Sequence, residues 1–168
     1  MAETARPKGK LAGTGIRLIA GGYDACILVG LAFLAFIPVT VAEQQLGAIP
    51  HSFKVMLLIS VAFAYFVGFW HKAGATTGMR PWKLRVAVCD TGEPVSLLAA
   101  SIRFIVLMLT WLAALMTFVY MLYRDTGHAL FFVCALIPVI SMACMMLTPN
   151  RQTLHDLIAG TSIYRIED

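Results

Sequence analysis

Arg17-Leu-Ile-Ala-Gly-Gly-Tyr-Asp24 opens the first long apolar run of the chain, and its reading decides the fold. Apart from Arg17 and Asp24, the run stays apolar from about residue 16 to residue 41. A helix needs roughly 20 mainly apolar residues to cross a hydrocarbon core. Charges at the mouth of such a segment, and inside it, are costly, so the fold or the function must need them. A second charged stretch, Arg151-Gln-Thr-Leu-His-Asp156, follows the last apolar run. Together the two read as one site split between the ends of the chain.

The composition agrees with a membrane reading. Sixty per cent of residues are hydrophobic and 13% are charged, with a mean hydropathy of +0.80, whereas soluble domains are about half apolar and about a quarter charged. The apolar residues come in unbroken runs, not in the stripes of amphipathic helices. Three further runs follow the first, at about 53–71, 97–123 and 129–147. The second closes on Tyr65, Phe66, Phe69 and Trp70, read as an interfacial aromatic belt. The third carries Arg103 near its start, and Pro138 is expected to kink the fourth. The expected fold is therefore all-α: a bundle of four transmembrane helices over residues 16–168, behind a polar cytoplasmic arm at 1–15. The formal net charge of +4 needs no nucleic-acid partner, because the basic residues flank the apolar runs. The implied partner is the lipid bilayer.

Arg6, Lys8 and Lys10 ahead of the first run, with Thr40-Val41-Ala42 after it, resemble a secretory signal. The apolar core of a signal is about 7–15 residues long. This run is longer and contains Asp24, so it is read as a retained helix. Orientation follows from Lys and Arg. The arm, the connection holding Lys72, Arg80, Lys83 and Arg85, and the tail with Arg151 and Arg165 are basic, while the opposite loops hold Lys54 and Arg124. The positive-inside rule places both termini in the cytoplasm.

Cys26, Cys134 and Cys144 fall in the apolar runs, Cys89 falls in the basic connection, and no zinc-type spacing occurs. Met142, Cys144, Met145 and Met146 are soft enough for copper(I) but are read as packing residues of a helix. No metal and no cofactor is assigned. His51, His71 and His128 fall at helix ends, and no serine or cysteine has a nucleophile context, so no enzyme is expected.

Within the first helix, Gly22, Cys26 and Gly30 are four apart and form a ridge of small residues suited to close helix packing. Arg17 and Asp24 share the opposite face, so this helix is expected at the centre of the bundle. They are two turns apart, too far for an i,i+4 pair. Asp24 therefore needs another partner, and Arg103, at similar depth on the third helix, is the expected one. In the connection, Trp82, Leu84, Val86 and Val88 alternate with polar or small residues, and Asp90-Thr-Gly-Glu93 reads as a turn before a helix capped by Ser96. That strand and a second at 161–166 are expected to form a two-stranded cytoplasmic element, although an amphipathic segment on the headgroups answers the same pattern. Asn150 is a candidate cap for a short interfacial helix at about 151–159, closed by Gly160. Arg151 and His155 lie one turn apart on it, and Asp156 is expected to fold back to Arg17.

Arg17…Asp24, Thr77-Gly-Met-Arg80, Asp90-Thr-Gly-Glu-Pro94 and Arg151-Gln-Thr-Leu-His-Asp156-Leu-Ile-Ala-Gly-Thr161 resemble the RDD family, named for one arginine and two aspartates. The resemblance implies that Arg17 and Asp24 are the family's arginine and first aspartate and Asp156 its second. Pro81-Trp82 departs from the aliphatic residues expected after that arginine. The family is described as membrane proteins of undefined role. Some members resemble cation–proton antiporters, and others act beside membrane proteases or assembly machinery. Two functions follow: an accessory or regulatory subunit of a larger complex in the bacterial inner membrane, or a small oligomeric transporter using Asp24. Either implies another membrane protein or a second copy as partner.

Overall fold

The computed structural model describes residues 9–89, 91–123 and 129–166. Arg6, Lys8, Asp90 of the expected turn, Arg124 and His128 lie outside the described residues. Four helices carry the apolar runs: α1 (Thr14–Leu46), α2 (His51–Ala73), α3 (Leu97–Leu122) and α4 (Ala129–Leu147). Each is long and apolar enough to cross a bilayer. Phe33, Trp111 and Phe132 are each more than 60% exposed on their flanks, and apolar faces of that extent need lipid rather than water around them. The chain is a multi-pass membrane protein.

The helix ends obey local chemistry. α1 outruns its apolar stretch through Glu43, Gln44 and Gln45, and Glu43 pairs with Lys54 at the start of α2, 2.6 Å away. The backbone turns out of α2 at Gly74 with φ 66, and the Gly74 N–H donates to the Trp70 carbonyl. Ser96 caps α3 by accepting from the Ala99 N–H at 3.2 Å. Pro138 lies inside α4 and Pro38 inside α1.

Packing runs in chain order, α1 on α2, α2 on α3 and α3 on α4. This corrects the expectation of a central first helix. α1 has α2 as its main helical neighbour, and its buried residues are Ala20, Asp24 and Val39. Gly22, Cys26 and Gly30 are exposed, and a Cβ at either glycine would meet nothing within 4 Å. The small-residue ridge thus faces away from the other described helices. A ridge shows where a helix can be approached, not which neighbour comes.

At one end of the helices sits a polar cap. Strands β1 (Gly9–Leu11), β2 (Leu84–Val88) and β3 (Thr161–Ile166) form an antiparallel sheet in the order β1-β3-β2, with Lys10 opposite Arg165 and Val86 opposite Ile163. The expected two-stranded element thus has a third strand drawn from the N-terminal arm, which is too short to show a period of two. A 3-10 turn at Arg80–Trp82 leads into β2. The short helix α5 (Leu154–Ile158) packs under α3 and α4 and against β3. It starts at Thr153, not at Asn150, whose side-chain amide instead donates to the Cys89 sulfur. Gly160, with φ 63, ends it. The main core lies where helices meet cap, around Val67, Trp70, Met79, Val86, Ala100 and Phe104.

Candidate functional site

Asp156 takes the third position of α5, where its carboxylate closes the first turn: Oδ2 accepts from the Thr153 N–H at 3.3 Å and the Thr153 hydroxyl at 2.8 Å. That local role aims the carboxylate at the helices. Arg103 reaches it from α3, pairing with Oδ1, and Arg17 reaches Oδ2 from the first turns of α1 at 3.4 Å. The three side chains are 0%, 2% and 6% exposed for Asp156, Arg103 and Arg17. Around them the fold supplies further partners. Arg103 donates to the Thr161 hydroxyl at 2.7 Å and lies over the Trp70 ring, 4.7 Å from its centroid. Arg17 donates to the Ile163 and Arg151 carbonyls. One carboxylate thus joins α1, α3, α5 and β3.

The environment of Asp156 decides its charge. Burial pushes its carboxyl up, but its basic neighbours, Arg103 foremost, together with the Thr153 hydroxyl outweigh that and hold it below its ordinary range. His155, next along α5, has its Nε2 3.9 Å from Asp156 Oδ1 and its ring nitrogens beside the Thr153 hydroxyl. Burial, with Arg103 and Arg17 nearby, pushes its imidazole down to about 4 against the pull of Asp156. It is neutral at physiological pH.

Asp24 forms a second centre, deeper in the apolar part of α1. Its Oδ1 accepts from the Tyr65 hydroxyl at 2.6 Å and the Gly78 N–H at 2.9 Å, and its Oδ2 from the Thr76 hydroxyl at 2.6 Å. The segment after α2 therefore folds back onto α1. It comes so close that a Cβ on Gly78 would lie 2.6 Å from the Ala20 carbonyl oxygen. Asp24 and Thr76 are 4% and 0% exposed. The Asp24–Arg103 pair expected from matching depth does not form. In chain-order packing α2 stands between α1 and α3, and Arg103 turns to Asp156 instead.

The four buried ionisable groups are divided: two guanidiniums share Asp156, and Asp24 is held by neutral donors. Two helical turns separate the centres on α1, about 10 Å. At an effective dielectric of about 20, the attraction between unit charges at that distance is below about 2 kcal/mol, so local hydrogen bonding does most of the holding. The Nε atoms of Arg17 and Arg103 are buried without a hydrogen-bond partner among the described residues.

Several other sequence readings change here. Tyr65 and Trp70, read as a lipid-facing belt, are 6% and 3% exposed and serve Asp24 and Arg103. Arg151 contributes its carbonyl, not its charge, to Arg17, and has φ 48. Gly78, Thr76, Thr153 and Thr161 carried no signal as ligands of buried charge. The only mark of Gly78, Thr153 and Thr161 was membership of the quoted motifs, and Thr76 lay just outside them. Met145 is buried while Met142 and Met146 face outward, so the soft side chains do not converge. Among the described residues, no three His, Cys, Asp or Glu side chains gather to hold a metal.

The family model for the RDD family matches residues 11–160, a span that includes both charged centres and α5. No curated protein and no solved structure matches the chain.

Proposed function

The chain belongs to the RDD family, and on that premise we propose that it is a non-catalytic accessory or regulatory subunit of a larger membrane complex. The observation that carries this reading is that the buried ionisable side chains of both centres are engaged inside the fold. Asp156 is engaged by Arg103 and Arg17, and Asp24 by Tyr65, Thr76 and Gly78. A carrier must give up such partners to its cargo at each cycle. A charge that joins α1, α3, α5 and β3 instead preserves one shape, which suits a surface offered to another membrane protein or to a second copy. In this reading the cap and both termini are cytoplasmic, supported by the positive-inside rule on the basic flanks, and the membrane is taken to be a bacterial inner membrane.

One observation favours a transporter as the second reading. Asp24 is a carboxylate within an apolar span, and two of its three partners are hydroxyls, which can turn their lone pairs towards a proton or cation. Four helices packed in chain order enclose little volume, and no inverted repeat is evident among the described residues to frame a central site, so this reading stands second.

Reconstitution into liposomes with a trapped pH-sensitive dye separates the two. The accessory reading expects no cation-driven proton movement from the purified chain, and stoichiometric co-purification with a larger membrane complex when the chain is extracted gently from its native membrane. Cation-driven proton movement that Asp24→Asn abolishes would overturn it.

A further inference from the structure

The centre around Asp156 offers more donors than its acceptors take up. Both guanidiniums meet the carboxylate through Nη1, and Arg17 spends its Nη2 on the Ile163 carbonyl. The Nε atoms of Arg17 and Arg103 stay out of the pairing, buried and without a hydrogen-bond partner among the described residues. The indole Nε1 of Trp70, whose ring lies against Arg103, is a third atom of this kind. Four such side-chain atoms occur among the described residues, and three of them belong to this one centre. All three are N–H donors. Buried polar atoms in native folds are almost all paired, so their gathering here calls for an acceptor.

The charges point the same way. Guanidiniums stay protonated in proteins, and two of them face one carboxylate. His155 beside them is neutral at physiological pH. Asp24 is engaged by its own donors, two helical turns from Arg17. The centre thus carries one positive charge more than its carboxylate cancels, and a buried charge without compensation is costly. A water molecule would answer the donors and leave the charge. An anion answers both.

We propose that this centre binds a monovalent inorganic anion of the halide class, with the Nε–H groups of Arg17 and Arg103 and the indole N–H of Trp70 as its donors. A surplus of one charge calls for one such ion. The heads of the two arginines are neighbours, because they hold the two oxygens of a single carboxylate. Burial sets the size: the three charged side chains are at most 6% exposed, so a lipid headgroup or an organic acid would have to part the helices to enter. Arg17 marks the way in, as the most exposed of the three, with its next acceptor on the exposed Arg151. The ion then completes the lock between helices and cap. The proposal rests on that lock and not on the accessory role, so co-purification with a larger complex stands whether or not halide binds.

The test uses the purified full-length chain in detergent, with chloride exchanged for gluconate at constant ionic strength. Chloride binding is read from the chloride NMR line width, and thermal unfolding is followed in parallel. The parent is expected to broaden the line saturably, bromide to compete, and the melting temperature to rise with the logarithm of chloride concentration. Arg17→Gln removes the surplus charge and a donor, and is expected to abolish both effects. Arg17→Lys keeps the charge opposite Asp156 but has no Nε–H, and is expected to weaken binding about tenfold, the loss of one hydrogen bond to a charged group. Asp156→Asn removes the competing carboxylate and is expected to tighten binding about tenfold or more, an outcome that a purely structural role for these residues does not give. The proposal is overturned if the parent shows no saturable broadening. It is equally overturned if both Arg17 variants bind like the parent, or if Arg80→Gln, a cation outside the centre, weakens binding as much as Arg17→Gln.

Discussion

Replacing Gly78 with alanine tests how tightly the segment after α2 is clamped to α1. The new Cβ would stand 2.6 Å from the Ala20 carbonyl oxygen and 2.7 Å from Asp24 Oδ1. To restore ordinary contact the segment must move by about 0.8 Å, judged from the 3.4 Å at which van der Waals contact becomes ordinary. The Gly78 N–H lies 2.9 Å from Asp24 Oδ1, so the same movement takes it beyond about 3.5 Å, where a hydrogen bond is lost. Leaving a buried donor or acceptor unsatisfied costs about 1–3 kcal/mol, and overpacking a tight contact costs about 1–3 kcal/mol. These overlap, because the shift that relieves the clash breaks the bond. The expected loss is about 3 kcal/mol. Unfolding of the purified protein in mild detergent, followed by near-ultraviolet circular dichroism, measures it. Stability within about 0.5 kcal/mol of the parent would refute the reasoning, since it would mean that the segment does not press on α1.

Gly22→Ala and Gly30→Ala make the opposite forecast in the same assay. Both face open space, so each should be neutral or stabilise by about 0.5–1 kcal/mol, the usual gain of alanine over glycine in a helix. His155 sets a pH dependence. Its folded pKa of about 4 lies below the ordinary 6.5, so between those values the unfolded chain takes up a proton that the folded chain refuses. Stability is therefore complete above pH 6.5 and falls as the pH drops towards 4, and His155→Gln should flatten the melting temperature across that window. The depressed carboxyl of Asp156 adds a further loss at pH values below the ordinary carboxylate range.

Much of the fold was legible because the bilayer imposes simple rules. Unbroken apolar runs marked the four helices within a few residues at most ends, with α4 at its expected bounds of 129 and 147. The period of two in Leu84–Val88, the cap at Ser96 and the stop at Gly160 were each carried by local chemistry. The site was less legible because its partners are set by lateral neighbours. Equal depth of Asp24 and Arg103 carried no information about which helix stands between them. Tyr65 and Trp70 looked like interface residues since an aromatic at a helix end serves a lipid surface or a buried charge equally well. Gly78 was invisible for a related reason. What makes it necessary is the approach of a distant carbonyl, at Ala20, and not a turn of its own.

The central claim is that Asp156 and the guanidiniums around it form a structural lock between helices and cap. A double-mutant cycle with Arg103→Met, Asp156→Asn and the pair, read as unfolding free energy in detergent, tests it most directly. Breaking a buried pair from one side costs about 3–5 kcal/mol. Each single change should approach that, while the pair together should cost well below their sum, with a coupling of about 2 kcal/mol or more. Additive losses, with coupling inside about 0.5 kcal/mol, would contradict the lock and leave Asp156 free for another task.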